Sequence, residues 1–146
     1  MMRYLVVLVV LLGLSCTRVD DSSPEEVYRK FYQALAEKDR DRALGYLSRE
    51  AQDAIARKQA YLNNVIDGDE LRRAFFPTSH ADVLVPLRAI DVILRETDGI
   101  TIEVRAGSCD QNEPCVSTVK LRLEGGRYVI APQLPANLTQ TSKEGT

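Results

Sequence analysis

The stretch RAIDVILRETDGITIEVR, residues 88–105, is where the hydrophobic period of this chain changes from 3.6 to 2. Ile90, Val92 and Leu94 alternate with Asp91, Ile93 and Arg95. Ile100, Ile102 and Val104 alternate with Thr101, Glu103 and Arg105. Each run has a mostly apolar face and a polar one, the pattern of antiparallel strands covered on one side. The same alternation returns at Val119, Leu121 and Leu123, and again at Tyr128 and Ile130. Strands are therefore expected near 87–96, 100–107, 116–124 and 127–132.

The pattern also selects pairings. A three-residue loop, Thr97-Asp98-Gly99 with Gly99 at positive φ, sets Leu94 opposite Ile102, Val92 opposite Val104 and Asp91 opposite Arg105. Gly125-Gly126 fits a two-residue turn that pairs Leu123 with Tyr128 and Leu121 with Ile130. The middle hairpin fits best with Val104 opposite Val119 and Glu103 opposite Lys120. At its tip Cys109 and Cys115 fall one step out of direct opposition, so the ladder must end or bulge there.

Upstream the period is helical. Ser23-Pro24-Glu25-Glu26 carries a cap, a proline at the first helical position and a capping-box glutamate. Val27, Phe31, Ala34 and Leu35 follow at helical spacing, flanked by Tyr28 and Tyr32, and this helix should end near Lys38. Asp39 or Asp41 can cap a short second helix that buries Ala43, Leu44 and Leu47. Ser48 can cap a third, with the stripe Ala51, Ala54, Ile55, Leu62, Val65 and Ile66, and Lys58 falls on that stripe. One more short helix is expected over Leu71–Phe76, stopped by Pro77. Helices first and an antiparallel meander after them read as α+β, with N-terminal helices packed on a curved four-stranded antiparallel sheet.

The N-terminus carries a different signal. Leu5 to Cys16 reads LVVLVVLLGLSC, behind Arg3 and ahead of Thr17, Arg18, Asp20 and Asp21. Its length suits the core of a secretory signal, and a spanning helix needs ~20 apolar residues. The division expected is a signal peptide over 1–15, a tether over 16–22, one domain over 23–133 and a flexible tail over 134–146. Without residues 1–15 the chain has 18 basic and 21 acidic side chains, a net charge of −3. It has no basic patch of the kind nucleic-acid binding uses, so no nucleic acid is expected as partner.

Two resemblances follow from these residues. Gly13-Leu14-Ser15-Cys16 resembles the lipobox of bacterial lipoproteins, with Gly13 where that family most often has leucine. The resemblance implies that Cys16 is the lipidated first residue of the mature chain. It also implies a membrane partner reached through that lipid, and a cell-envelope location. Ordinary cleavage after Ser15 is the competing reading, but it leaves one of the three cysteines unpaired. Thr17 is not the aspartate associated with inner-membrane retention in enteric lipoproteins, which points to the outer membrane, facing the periplasm. Export makes a Cys109–Cys115 disulfide the default over a metal site, because the pair has no histidine nearby.

The stretch SPEEVYRKFYQALAEKDRDRALGYLS, residues 23–48, is similar to the opening helices of the cystatin-like, cone-shaped superfamily named for nuclear transport factor 2. It looks closest to small bacterial lipoproteins of unknown function in that group. That superfamily includes isomerases, dehydratases, hydrolases and cyclases working inside the cone, and members used for binding or assembly. No motif here carries their catalytic residues across one by one.

The candidate residues each have a structural alternative. His80 and Asp82 can form an acid–base pair, or a polar connection between helix and sheet. Lys58 can enter a cavity, or lay its methylenes along apolar surface and reach water. Tyr28, Tyr32 and Tyr61 can line a pocket with Lys58, or edge the core. Arg40, Arg42, Arg49 and Arg57 read as a solvated helix face. No phosphate loop, zinc spacing or nucleophile elbow occurs, so no metal or cofactor is expected. The expected function is a non-catalytic domain that binds an envelope protein or a small apolar ligand. The alternative is a small-molecule isomerase, hydrolase or cyclase acting in the cone.

Overall fold

The computed structural model describes residues 23–75, 86–110, 113–134 and 138, with only the backbone described at 108–110 and 113–115. Four helices precede four strands: α1 (Pro24–Ala36), α2 (Arg40–Gly45), α3 (Arg49–Leu62), α4 (Gly68–Phe75), β1 (Leu87–Arg95), β2 (Gly99–Asp110), β3 (Glu113–Glu124) and β4 (Arg127–Ile130). The strands form one antiparallel sheet in the order β1-β2-β3-β4, so the chain is α+β as its periods require.

Ser23 and Ser48 cap α1 and α3 as read from the sequence, and of Asp39 and Asp41 it is Asp39 that caps α2. Ser23 Oγ accepts the Glu26 N–H, Asp39 Oδ1 the Arg42 N–H, and Ser48 Oγ the Ala51 N–H, each at 3.2 Å. Each satisfies one of the amides that a helix start leaves without an intrahelical partner. α1 then lies against the sheet and against α2 and α4. Its Phe31 and Leu35 join Leu47, Ile55, Leu71, Ile102, Leu121 and Ile130 in the core. Burying each such side chain contributes roughly 1.5–3 kcal/mol. Phe31 also meets Phe75 of α4 edge-on, with ring centroids 5.3 Å apart.

The end of α1 is fixed by close contact. Lys38 adopts φ 57°, and its carbonyl faces Gly68, where an added Cβ would come within 1.9 Å of that oxygen. Only glycine lets α4 start there. Asp69 completes the junction by receiving Lys38 Nζ at 3.1 Å, Arg72 at 3.0 Å and Arg73 at 2.9 Å. Arg72 is buried, and its Nε has no hydrogen-bond partner, a cost of roughly 1–3 kcal/mol.

Arg40 is not part of a solvated face. Its Nε donates to the Ile66 carbonyl and another guanidinium nitrogen to Gln59 Oε1, both at 2.7 Å. The same Gln59 oxygen accepts the Ile66 N–H at 3.1 Å, so one clamp holds the α3–α4 connection onto α2.

α3 departs from expectation at its far end. Ala51, Ile55 and Ile66 are buried, but Leu62 is 49% exposed and Val65 63% exposed. The helix stops at Leu62, where Asn63 takes a left-handed cap at φ 50°. After that turn the helical stripe no longer applies, and Ile66 goes inward while Val65 goes outward.

The Gly125-Gly126 turn forms as read, with φ 58° and 81°, and sets Leu121 opposite Ile130 and Leu123 opposite Tyr128. The other two registers differ from expectation by two residues. Val92 pairs with Ile102, Ile90 with Val104 and Asp91 with Glu103, and Ile102 with Val119. A slip of two keeps every side chain on its face, so the apolar pattern does not distinguish the two alignments. Gly99 does: it sits opposite Arg122, and a Cβ there would come within 2.3 Å of the Leu121 carbonyl oxygen. Its role is this close approach of two strands, not a positive φ. A bulge between Val92 and Leu94 also moves Leu94 opposite Thr101, onto the polar face, where it is half exposed.

At the other end of β2 and β3 the ladder bulges twice and continues to Asp110 opposite Glu113. Cys115 stands opposite Ala106, and Cys109 lies between the Ser108/Pro114 and Asp110/Glu113 pairs. Beyond β4, Leu134 packs on the core and Leu138 is buried in it.

Sheet and helices are joined along β4. The Ser48 N–H donates to the Ile130 carbonyl at 2.7 Å, and the Ile130 N–H to the Tyr46 carbonyl at 2.8 Å. They form a parallel bridge between Leu47 and Ile130 at the end of the outer edge of β4.

The glycine contacts give a direct test by urea unfolding. Gly68→Ala should lower the unfolding free energy by on the order of 3 kcal/mol. Gly45→Ala, where a Cβ meets nothing within 4 Å, should leave it unchanged or raise it slightly. Equal effects at the two positions would contradict the packing described.

Candidate functional site

The candidate pocket residues do not come together. Tyr28 and Tyr32 lie on α1 in the core, with ring centroids 6.3 Å apart. Burial, with Tyr32 adding a smaller repulsion, pushes the Tyr28 hydroxyl well above its ordinary value, and burial does the same to Tyr32. Lys58 and Tyr61 form a separate pair on α3, the ammonium 5.8 Å from the ring centroid and Tyr61 46% exposed. That contact suits a lysine laid along an apolar surface. Cys16, His80 and Asp82 lie outside the described residues, as do the side chains of Cys109 and Cys115. Among the described residues no three His, Cys, Asp or Glu side chains are placed to hold a metal ion. No described helix is long and apolar enough to cross a membrane.

What the structure does bring together is a charged surface around the start of α3. Ser48 ends its bridge to β4 and caps the helix, which delivers Arg49, Glu50 and Arg57 beside the polar side of β3. Lys120, Arg122 and Glu124 alternate there with the core-facing Leu121 and with Leu123. Arg122 Nε donates to Glu124 Oε1 at 3.0 Å, and its terminal nitrogen to Glu50 Oε2 at 3.3 Å. Glu124 Oε2 accepts the backbone N–H of Arg49 at 3.1 Å, which puts a carboxylate on the positive end of α3. Across the Gly125-Gly126 turn, Arg127 donates to the Gly45 carbonyl at the end of α2, at 3.0 Å. Two clefts flank this arrangement. One, of about 500 Å³, lies between α3, β3 and residues 131–134. The other, of about 590 Å³, lies between Leu47, Gln52 and the β3–β4 turn. None of Tyr28, Tyr32, Lys58 or Tyr61 lines either cleft.

The electrostatics favour fixed charge. Burial alone would raise the Glu124 carboxyl, but the Arg49 N–H and the Arg122 guanidinium outweigh it and hold the group below the ordinary range. The bond to Glu124 in turn raises Arg122, against a smaller effect of burial. Both groups keep their charges through the neutral range, which suits recognition of charge more than proton transfer.

Sequence reasoning missed this site. It read Arg49 and Arg57 as solvated, and both are exposed, but nothing placed them beside β3, and the alternation there marked Lys120 and Arg122 only as outward. The contacts that join α3 to β3, Arg122 to Glu50 and the Arg49 N–H to Glu124, link residues more than 70 apart, with no local pattern connecting them. Comparison of the chain with protein-family models, with characterised proteins and with solved structures finds no match.

The sign of the acid response follows. A carboxylate held below its unfolded value adds stability above that value and loses it as pH falls through the folded one. Glu124 behaves so, and Asp69 does too, lowered chiefly by its hydrogen bonds from Lys38 and Arg72. The melting temperature should fall as pH drops below about 4.5, and the drop should be shallower in Glu124→Gln and in Asp69→Asn. Unaltered acid limbs in both variants would contradict the assignment.

Proposed function

We propose that this chain is an exported envelope protein, anchored by acyl chains on Cys16, whose domain binds a ligand or protein partner without catalysing a reaction. The observation that carries the anchoring is the run from Leu5 to Cys16, too short to span and ending in a small residue and a cysteine. Two acyl chains suffice for stable anchoring, at ~0.8 kcal/mol per buried CH₂. The membrane is the outer one, and the domain faces the periplasm. Cys109 and Cys115 are bridged in that oxidising compartment, at the part of the β2–β3 ladder where two bulges disturb the pairing.

Within this reading the α+β domain is a cystatin-like cone of the nuclear transport factor 2 type, its sheet curved about α1. The order of elements and the packing of α1 on one side of the meander support it. The binding role is supported by the charged surface around α3, whose groups are held in ion pairs with their charges fixed.

Mass spectrometry of protein extracted from the native envelope tests the reading. The expected species begins at an acylated Cys16, with Cys109 and Cys115 linked in unreduced peptide maps. It should carry a reproducible protein partner or small molecule through a pulldown. Retention of residues 1–15, an unmodified Cys16 or free thiols at both positions would refute the anchoring and the bridge. A pulldown that brings down nothing would refute the binding role.

A further inference from the structure

The cleft between α3 and β3 holds a cation that the ion pairs around it leave over. Three basic side chains line it: Arg57 from α3, and Lys120 and Arg122 from β3. Lys120 is drawn to Glu96 at 3.3 Å, and Arg122 to Glu124 and Glu50. Arg57 has no ion pair or hydrogen bond to any of the described residues. The Glu50 partner is itself loosely held, since its side chain is 79% exposed and meets Arg122 at 3.3 Å.

We infer that this cleft binds a small amphipathic anion, a single carboxylate carried on an apolar tail. The inference deepens the binding role proposed above and rests on it. The carboxylate lies between Arg57 and Arg122, displacing Glu50, whose exposed side chain turns to water at little cost. Arginine forks suit a planar carboxylate by offering two parallel N–H donors. The tail follows the apolar part of the lining, Ala54 of α3 and Ala131, Pro132 and Leu134 after β4. Asp98, which also lines the cleft, opposes a ligand carrying several negative charges, so a phosphate or polyanion is disfavoured. A volume of about 500 Å³ is in the range of small-molecule sites. Its basic side chains Lys120 and Arg122 lie on the face of β3 opposite Leu121, and Ala51 and Leu134 connect its lining to the core.

Isothermal titration of the full mature chain with decanoate tests the proposal, with decanol and inorganic phosphate as probes lacking the charge or the tail. Decanoate should bind saturably and weaken as salt is raised. Arg57→Gln should weaken it about ten-fold or more, the loss of one charge-assisted pair. Glu50→Gln should tighten it, by removing the competing carboxylate. Decanol and phosphate should each bind at least about ten-fold more weakly than decanoate. Because Arg57 is exposed and has no partner among the described residues, Arg57→Gln should keep the wild-type melting temperature. No decanoate binding, equal binding by Arg57→Gln, or phosphate binding as tightly as decanoate would overturn the site. Envelope pulldowns of wild type and Arg57→Gln separate this from the broader role. The same small molecule on both leaves the binding role standing and refutes this cleft. Its loss from the variant alone supports both.

Discussion

The five residues from the last of α2 to the first of α3 hold this fold together. From Gly45 to Arg49 the backbone makes four hydrogen bonds to the end of the sheet. The Gly45 carbonyl receives Arg127, the Tyr46 carbonyl receives the Ile130 N–H, the Ser48 N–H reaches the Ile130 carbonyl, and the Arg49 N–H reaches Glu124. Leu47, at the centre, is fully buried between them. A sheet edge left open is a template for association, and here the edge of β4 is met at Ile130 by the protein's own chain. The same bonds satisfy backbone groups that helix ends leave over: the last carbonyl of α2 and the first amide of α3.

This junction also explains where the charges are. The tight Gly125-Gly126 turn brings Glu124 and Arg127 directly opposite each other, and each then reaches the helix end of opposite polarity. Arg122 is held by Glu124 and so is delivered to Glu50, which opens the cleft between α3 and β3. Farther along, α3 leaves the sheet, and its end is held chiefly by the Arg40–Gln59–Ile66 clamp. Polar bonds do there what burial does at the other helices, which is why Tyr61, Leu62 and Val65 stay exposed.

Much of this was legible in the residues. Ser23, Asp39 and Ser48 marked three helix starts through one mechanism, a side-chain oxygen facing an orphan amide. The two glycines at 125–126 fixed a register because a type I′ two-residue turn needs φ > 0 at both central positions, which glycine adopts freely. The other two registers were not legible, since a slip of two leaves the apolar faces intact. Gly99 announced a special backbone position, but its demand was for space beside Leu121 and not for a turn. The stripe on α3 showed which residues would face a partner layer, not where that layer ends. The site was least legible, because the Arg122–Glu50 and Glu124–Arg49 contacts depend on the junction at Leu47, and that junction is a tertiary event.

Native-state hydrogen exchange tests the junction most directly. If the bridge holds helices to sheet, the Ser48 and Ile130 amides exchange only through global unfolding, with the same free energy as the Ile102 and Leu121 amides in the sheet interior. Exchange at Ser48 and Ile130 as fast as at Tyr61 on the exposed part of α3 would show that the two halves part without unfolding, and would contradict this account.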